Sequence, residues 1–93
     1  MKVVFAPRAV RDLREIGVNF RSVATDRTAR AAAERIRHVV GLIARQPEIA
    51  PRVIGKPSVR VILVLRYPYK IFYRVRNKEV EVLHVGTPRV GRG

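Results

Sequence analysis

Two histidines and seven clustered cations are the residues of this chain with chemistry to offer. The cations are Arg60, Arg66, Lys70, Arg74, Arg76, Arg89 and Arg92, with the aromatic Phe72 among them. Such groups can hold a phosphodiester and stabilise the charge that develops as it is cleaved. They can equally form a binding surface for an acidic protein or for nucleic acid. Other chemistries find less support. His38 and His84 each lack a second histidine or a carboxylate at ligand spacing, so neither a metal site nor a cofactor is expected. Asp12 and Glu15, three apart with Arg8 and Arg11 nearby, read as solvated ion pairs. There is no cysteine nucleophile and no Ser–His–acid pattern. Gly55-Lys56 lacks the upstream glycine and the following Ser/Thr of a phosphate loop.

The elements that must position these cations follow from periodicity. From Tyr69 the chain alternates: Tyr69, Ile71, Tyr73 and Val75 are expected on one face, Lys70, Phe72, Arg74 and Arg76 on the other. The first face packs on a core and the second is open. Residues 2–5 read as a short strand. Pro7 suits the first turn of a helix, and Val10, Leu13, Ile16 and Phe20 give that helix an apolar stripe. Thr25 or Asp26 can cap a second helix, whose stripe includes Ile36 and Val40 and which Pro47 ends. Residues 46–58, with three prolines and Gly55, form a crossing loop. The near-continuous apolar run from Val59 predicts a central, well-covered strand. Asn77-Lys78 is a two-residue hairpin turn, and Val80 to Val85 form the last strand. The order is β-α-α-β-β-β: a single α+β domain over residues 1–93, with an antiparallel sheet packed against an N-terminal helix hairpin.

Composition narrows the partners. Twenty Lys and Arg against seven Asp and Glu give a net charge of +13. Residues 1–45 carry ten basic and four acidic side chains, and residues 46–93 carry ten and three, so the folded body itself is basic. A surplus of this size seeks phosphate or an acidic partner. Hydrophobic residues make up 47%, enough for a small core. No apolar run reaches the roughly 18–20 residues of a membrane span, and Met1-Lys2-Val3-Val4-Phe5 is too short for a signal peptide. The absence of cysteine fits a reducing, cytoplasmic setting.

Several segments together resemble the RelE/ParE superfamily of toxins from bacterial type II toxin–antitoxin systems. Val4-Phe5-Ala6-Pro7-Arg8-Ala9-Val10-Arg11-Asp12-Leu13-Arg14-Glu15-Ile16 is similar to its opening strand and helix. Ile43-Ala44-Arg45-Gln46-Pro47-Glu48-Ile49 is similar to the end of its second helix, and Val59-Arg60-Val61-Ile62 to its arginine-bearing strand. Tyr67-Pro68-Tyr69-Lys70-Ile71-Phe72-Tyr73-Arg74-Val75 is the closest match, and Val80-Glu81-Val82-Leu83-His84-Val85 follows in order. The resemblance implies a neighbouring acidic, ParD-like antitoxin. Its apolar side chains are expected along a groove of Val10, Leu13, Ile16, Phe20, Ile36 and Val40, and its acidic ones on the basic sheet. The Tyr-Pro-Tyr-x-Ile-Phe-Tyr-Arg-Val wording is nearer the ParE branch, which implies a non-enzymatic inhibitor of DNA gyrase. The target-binding patch is then Arg60, Arg66, Lys70, Phe72, Arg74, Arg76, Arg89 and Arg92. The alternative is a RelE-like, metal-independent endoribonuclease acting on mRNA at the ribosome, with Arg60, Lys70 and Arg89 as its basic site. No tyrosine or histidine follows His84, which favours the first reading.

Overall fold

The computed structural model describes residues 1–23, 26–67 and 69–86; the side chains at 17–23, 26, 28 and 29 lie outside that description, and with them the expected cap at Thr25 or Asp26. Strand β1 spans Lys2–Phe5 and leads into helix α1, Pro7–Val23. Pro7 stands first in the helix, where a missing N–H costs nothing, and the Val10 N–H donates to the Ala6 carbonyl (3.1 Å). Helix α2 spans Asp26–Arg45. The Gln46 N–H closes its last turn onto the Leu42 carbonyl (2.8 Å) before Pro47 ends the run. No helix among the described residues is long and apolar enough to cross a membrane.

Four strands follow: β2 (Arg52–Val53), β3 (Lys56–Val64), β4 (Tyr69–Arg76) and β5 (Glu79–Gly86). The sheet order is β1-β5-β4-β3-β2. The β3-β4-β5 meander is antiparallel, as expected. Asn77 and Lys78 both take positive φ (53° and 61°), the backbone of a tight hairpin turn. Two features are additional. The opening strand runs parallel to β5, from Lys2↔Glu79 to Phe5↔Val82, so the sheet is mixed. The helix hairpin serves as the crossover that a parallel pair requires. The crossing loop also contributes β2, a two-residue strand beside β3.

The central strand is β4, not β3. The apolar run in β3 was read as buried on both faces, but only one face is covered. Val64 points inward and is buried, whereas Leu63 is 57% exposed. In β4 the alternation holds for Tyr69, Ile71 and Tyr73, all buried. Val75 corrects it: near the turn, outside the buried cluster, it is 42% exposed. The cluster joins Ala9 of α1, Ile36, Val39 and Ile43 of α2, and the inward faces of β4 and β5. At Gly41, a β-carbon would meet only the tip of Arg45 at 3.5 Å, an ordinary contact, so no close approach requires the glycine.

The β5 strand carries an irregularity that matters for function. Phe72 pairs with His84 and Tyr73 with Val82, which leaves Leu83 as an extra residue. Val80 and Val82 point inward before this bulge and Val85 after it, all buried. The bulge shifts the parity by one and turns His84 to the opposite face.

Tyr73 is fully buried, and its hydroxyl donates to the Pro47 carbonyl (2.8 Å). Burial raises its pKa, with the Ala50 backbone and the Arg60 charge pulling partly back; burial raises that of Tyr69 too. For an acid whose folded pKa is raised, folding favours the protonated form. Its stabilising contribution is complete below the unfolded value, about 10, and is lost as pH climbs toward the folded one. Denaturation curves are therefore expected to weaken above about pH 10, and Tyr73→Phe is expected to reduce that slope. At neutral pH, Ile71→Ala should cost about 2–5 kcal/mol and Leu63→Ala about 0.5 kcal/mol or less, read from urea midpoints.

Candidate functional site

The open face of the sheet is divided into zones. Toward the β1 edge the charges are paired. Lys2 Nζ lies 3.8 Å from Glu79, and the Arg74 Nε–H donates to Glu81 Oε1 at 2.8 Å, both partners half-buried. Arg74 is thus committed within the sheet. Toward β3 the face is apolar with one cation: Lys70 is opposite Leu63, and Phe72 is opposite Val61. Arg76 is exposed at the strand end beside the turn.

Between these zones stands His84. Its ring stacks on Phe72 with centroids 5.5 Å apart and planes 18° from parallel. Its Nδ1 lies 2.6 Å from Asp12 Oδ2, and the same oxygen accepts the Val85 N–H at 3.0 Å. Arg8 Nη2 approaches the other ring nitrogen, Nε2, at 3.5 Å. A guanidinium can only donate, an arrangement that suits a neutral ring with its proton on Nδ1, facing the carboxylate. Gly86 leaves the room: a β-carbon there would come within 2.7 Å of Nε2. Asp12 is therefore not a solvated partner of Arg8 but an anchor between α1 and β5. Nothing in its local spacing signals this, because Asp12 and His84 stand at opposite ends of the chain. The one hint was a polar residue that breaks the alternation of Val80-Glu81-Val82.

Two predicted patch residues leave the open face. Arg60 is on the helix side, opposite Tyr73, where its Nη1 donates to the carbonyls of Ala50 (2.6 Å) and Glu48 (3.4 Å). The loop after α2 offers carbonyls with no helix to use them, and Arg60 satisfies two. Arg66 is in the β3–β4 turn with φ at 76° and lines an open groove of about 620 Å³ against α2. Arg89 and Arg92 fall outside the described residues.

Of the expected hairpin groove, Ile36 is part of the buried core, while Leu13, Ile16 and Val40 pack against that core and are partly buried. Val10 is left outside, 37% exposed. Phe20 lies outside the described side chains. Among the described residues, no three His, Asp or Glu side chains converge as metal ligands.

This arrangement, a helix hairpin on one face of a mixed five-stranded sheet, is the fold of the RelE/ParE-like toxins. A structure described as the chromosomal ParDE toxin–antitoxin system from P. aeruginosa superposes with a TM-score of 0.84 at 23% identity, covering 96% of this chain and 97% of that one. The intact E. coli RelBE toxin–antitoxin complex gives 0.68 at 20% identity, covering 95% and 96%. The RelBE2 complex from Mycobacterium tuberculosis gives 0.61 at 21%, covering 92% and 95%. No curated protein matches the sequence significantly. The family model for the ParE toxin of the type II toxin–antitoxin system parDE matches residues 3–89. The chain belongs to that family.

Replacing Asp12 by alanine leaves the Val85 N–H without its acceptor and is expected to cost about 1–3 kcal/mol. His84→Gln, which keeps Asp12 on Val85, should cost less. Urea denaturation compares the two, and nitrogen chemical shifts should report the Nδ1–H tautomer of His84 in the unmodified protein.

Proposed function

We propose that this chain is the toxin of a ParDE-like pair: a cytoplasmic, non-enzymatic inhibitor of DNA gyrase, held inactive by a cognate acidic antitoxin. The family match over residues 3–89 carries this reading. The antitoxin is supported by the toxin–antitoxin systems among the structural neighbours and by the +13 charge of the chain. A binding mode, rather than cleavage, is supported by the fate of the basic site. Arg60 is bound to carbonyls on the helix side of the sheet, while Lys70 is on the other side, so the two do not act on one phosphate. The surface offered to a target is Lys70 and Phe72 with Arg76 at the strand end.

One observation favours the second reading, a metal-independent endoribonuclease. A carboxylate-held imidazole stands near Lys70, which is opposite Gly86, and a proton acceptor beside cations suits phosphodiester cleavage.

Added to a supercoiling reaction, the wild-type protein is expected to inhibit gyrase, and Lys70→Glu to require at least about tenfold more protein, the scale of a lost charge contact. Unchanged supercoiling with the wild type rejects the gyrase reading. In a translating extract, mRNA cleavage that disappears with His84→Gln would instead establish the nuclease.

A further inference from the structure

The groove between α2 and the β3–β4 turn is used by neither reading above. Ala31, Glu34, Arg35 and His38 recur at helical spacing, so a single stripe of α2 forms one wall. Leu65, Arg66 and Tyr67 form the other. Leu65 is 62% exposed, an apolar side chain the core does not take. Arg66 holds a left-handed backbone (φ 76°) that arginine seldom adopts. Arg35 is half-buried, and its Nε is closed from solvent with no acceptor among the described residues. Buried donors ordinarily have partners. The walls thus combine an exposed leucine with two guanidinium forks and one carboxylate, Glu34. Guanidinium forks match carboxylates in two-point geometry, and the leucine matches an apolar side chain.

We propose that this groove docks an acidic segment of the antitoxin, one that lays an apolar side chain on Leu65 and sets a carboxylate against Arg35 and Arg66. The inference rests on the antitoxin reading and adds a contact to it, on a stripe of α2 that faces the β3–β4 turn. A net charge of +13 selects an acidic partner. Leu65 selects a peptide over nucleic acid, because a phosphate backbone has no use for an exposed leucine among the cations.

The test measures affinity for the acidic product of the adjacent reading frame, co-expressed with this chain and then separated from it. Leu65→Asp and Arg35→Glu should each weaken binding at least tenfold. Glu34→Gln, which removes the repelling carboxylate, should tighten it severalfold. Lys78→Glu makes the same charge change in the exposed β4–β5 turn, at the opposite end of β4, and should leave affinity within twofold. Leu65 and Glu34 are exposed, so thermal melts of Leu65→Asp and Glu34→Gln should match the wild type. If the wild type fails to bind, the antitoxin reading falls and this inference with it. If the wild type binds and the groove variants bind as tightly, or if Lys78→Glu weakens binding as much as they do, this inference alone is overturned. It is also overturned if the groove variants abolish binding to a short DNA duplex yet leave the antitoxin bound.

Discussion

The Asp12 carboxylate ties the helical layer to the last strand, and much of the molecule depends on that contact. β1 ends at Phe5, and the Ala6 N–H makes its last bond to β5, on the Val82 carbonyl (2.9 Å). Beyond that point, among the described residues, β5 has no strand on this side. Asp12 supplies an acceptor for the Val85 N–H where a strand would have done so. The same oxygen lies 2.6 Å from His84 Nδ1, because the bulge at Leu83 has turned the ring to the open face at that level. Phe72 and Arg8 then close around the imidazole. A helix residue thereby sets the orientation of a side chain on the far side of the sheet.

Much of the fold was legible in the sequence. Period-two and helical patterns identify both helices, the Asn77-Lys78 hairpin and the buried face of β4, because each depends on neighbours a few residues away. What was illegible depends on distant parts of the chain. The position of β1 beside β5 is set by the crossover, and the parity of β5 by a single inserted residue. Apolar content alone cannot tell a strand buried on both faces from one with an exposed face, so β3 was placed at the centre. The site was less legible than the fold. Lys70, Phe72 and Arg74 follow strand alternation onto the open face. Arg60 follows the same rule to the other face, where the carbonyls of Glu48 and Ala50 receive it.

The large positive charge is therefore not one uniform surface. Arg74 and Lys2 are neutralised by glutamates across the sheet, and Arg60 serves the loop after α2. A half-buried bond such as Arg74–Glu81 belongs to the fold, whereas exposed charges act over distance and are screened by salt. Arg76, at the end of β4, is of the second kind, and Lys70 stands half-buried among apolar neighbours. A partner meets a patterned surface in which Lys2, Arg60 and Arg74 are already committed within the fold.

The parallel pairing of β1 with β5 also has a consequence in time. β1 has its sheet neighbour in β5, the farthest strand along the described residues. Contacts between distant segments close slowly, because the intervening chain must first be ordered. During synthesis the N-terminal strand and helices must wait for Glu79 to Gly86 before the sheet can be completed and Asp12 can reach its acceptor site. A growing copy of this chain cannot hold its finished surface until β5 has left the ribosome.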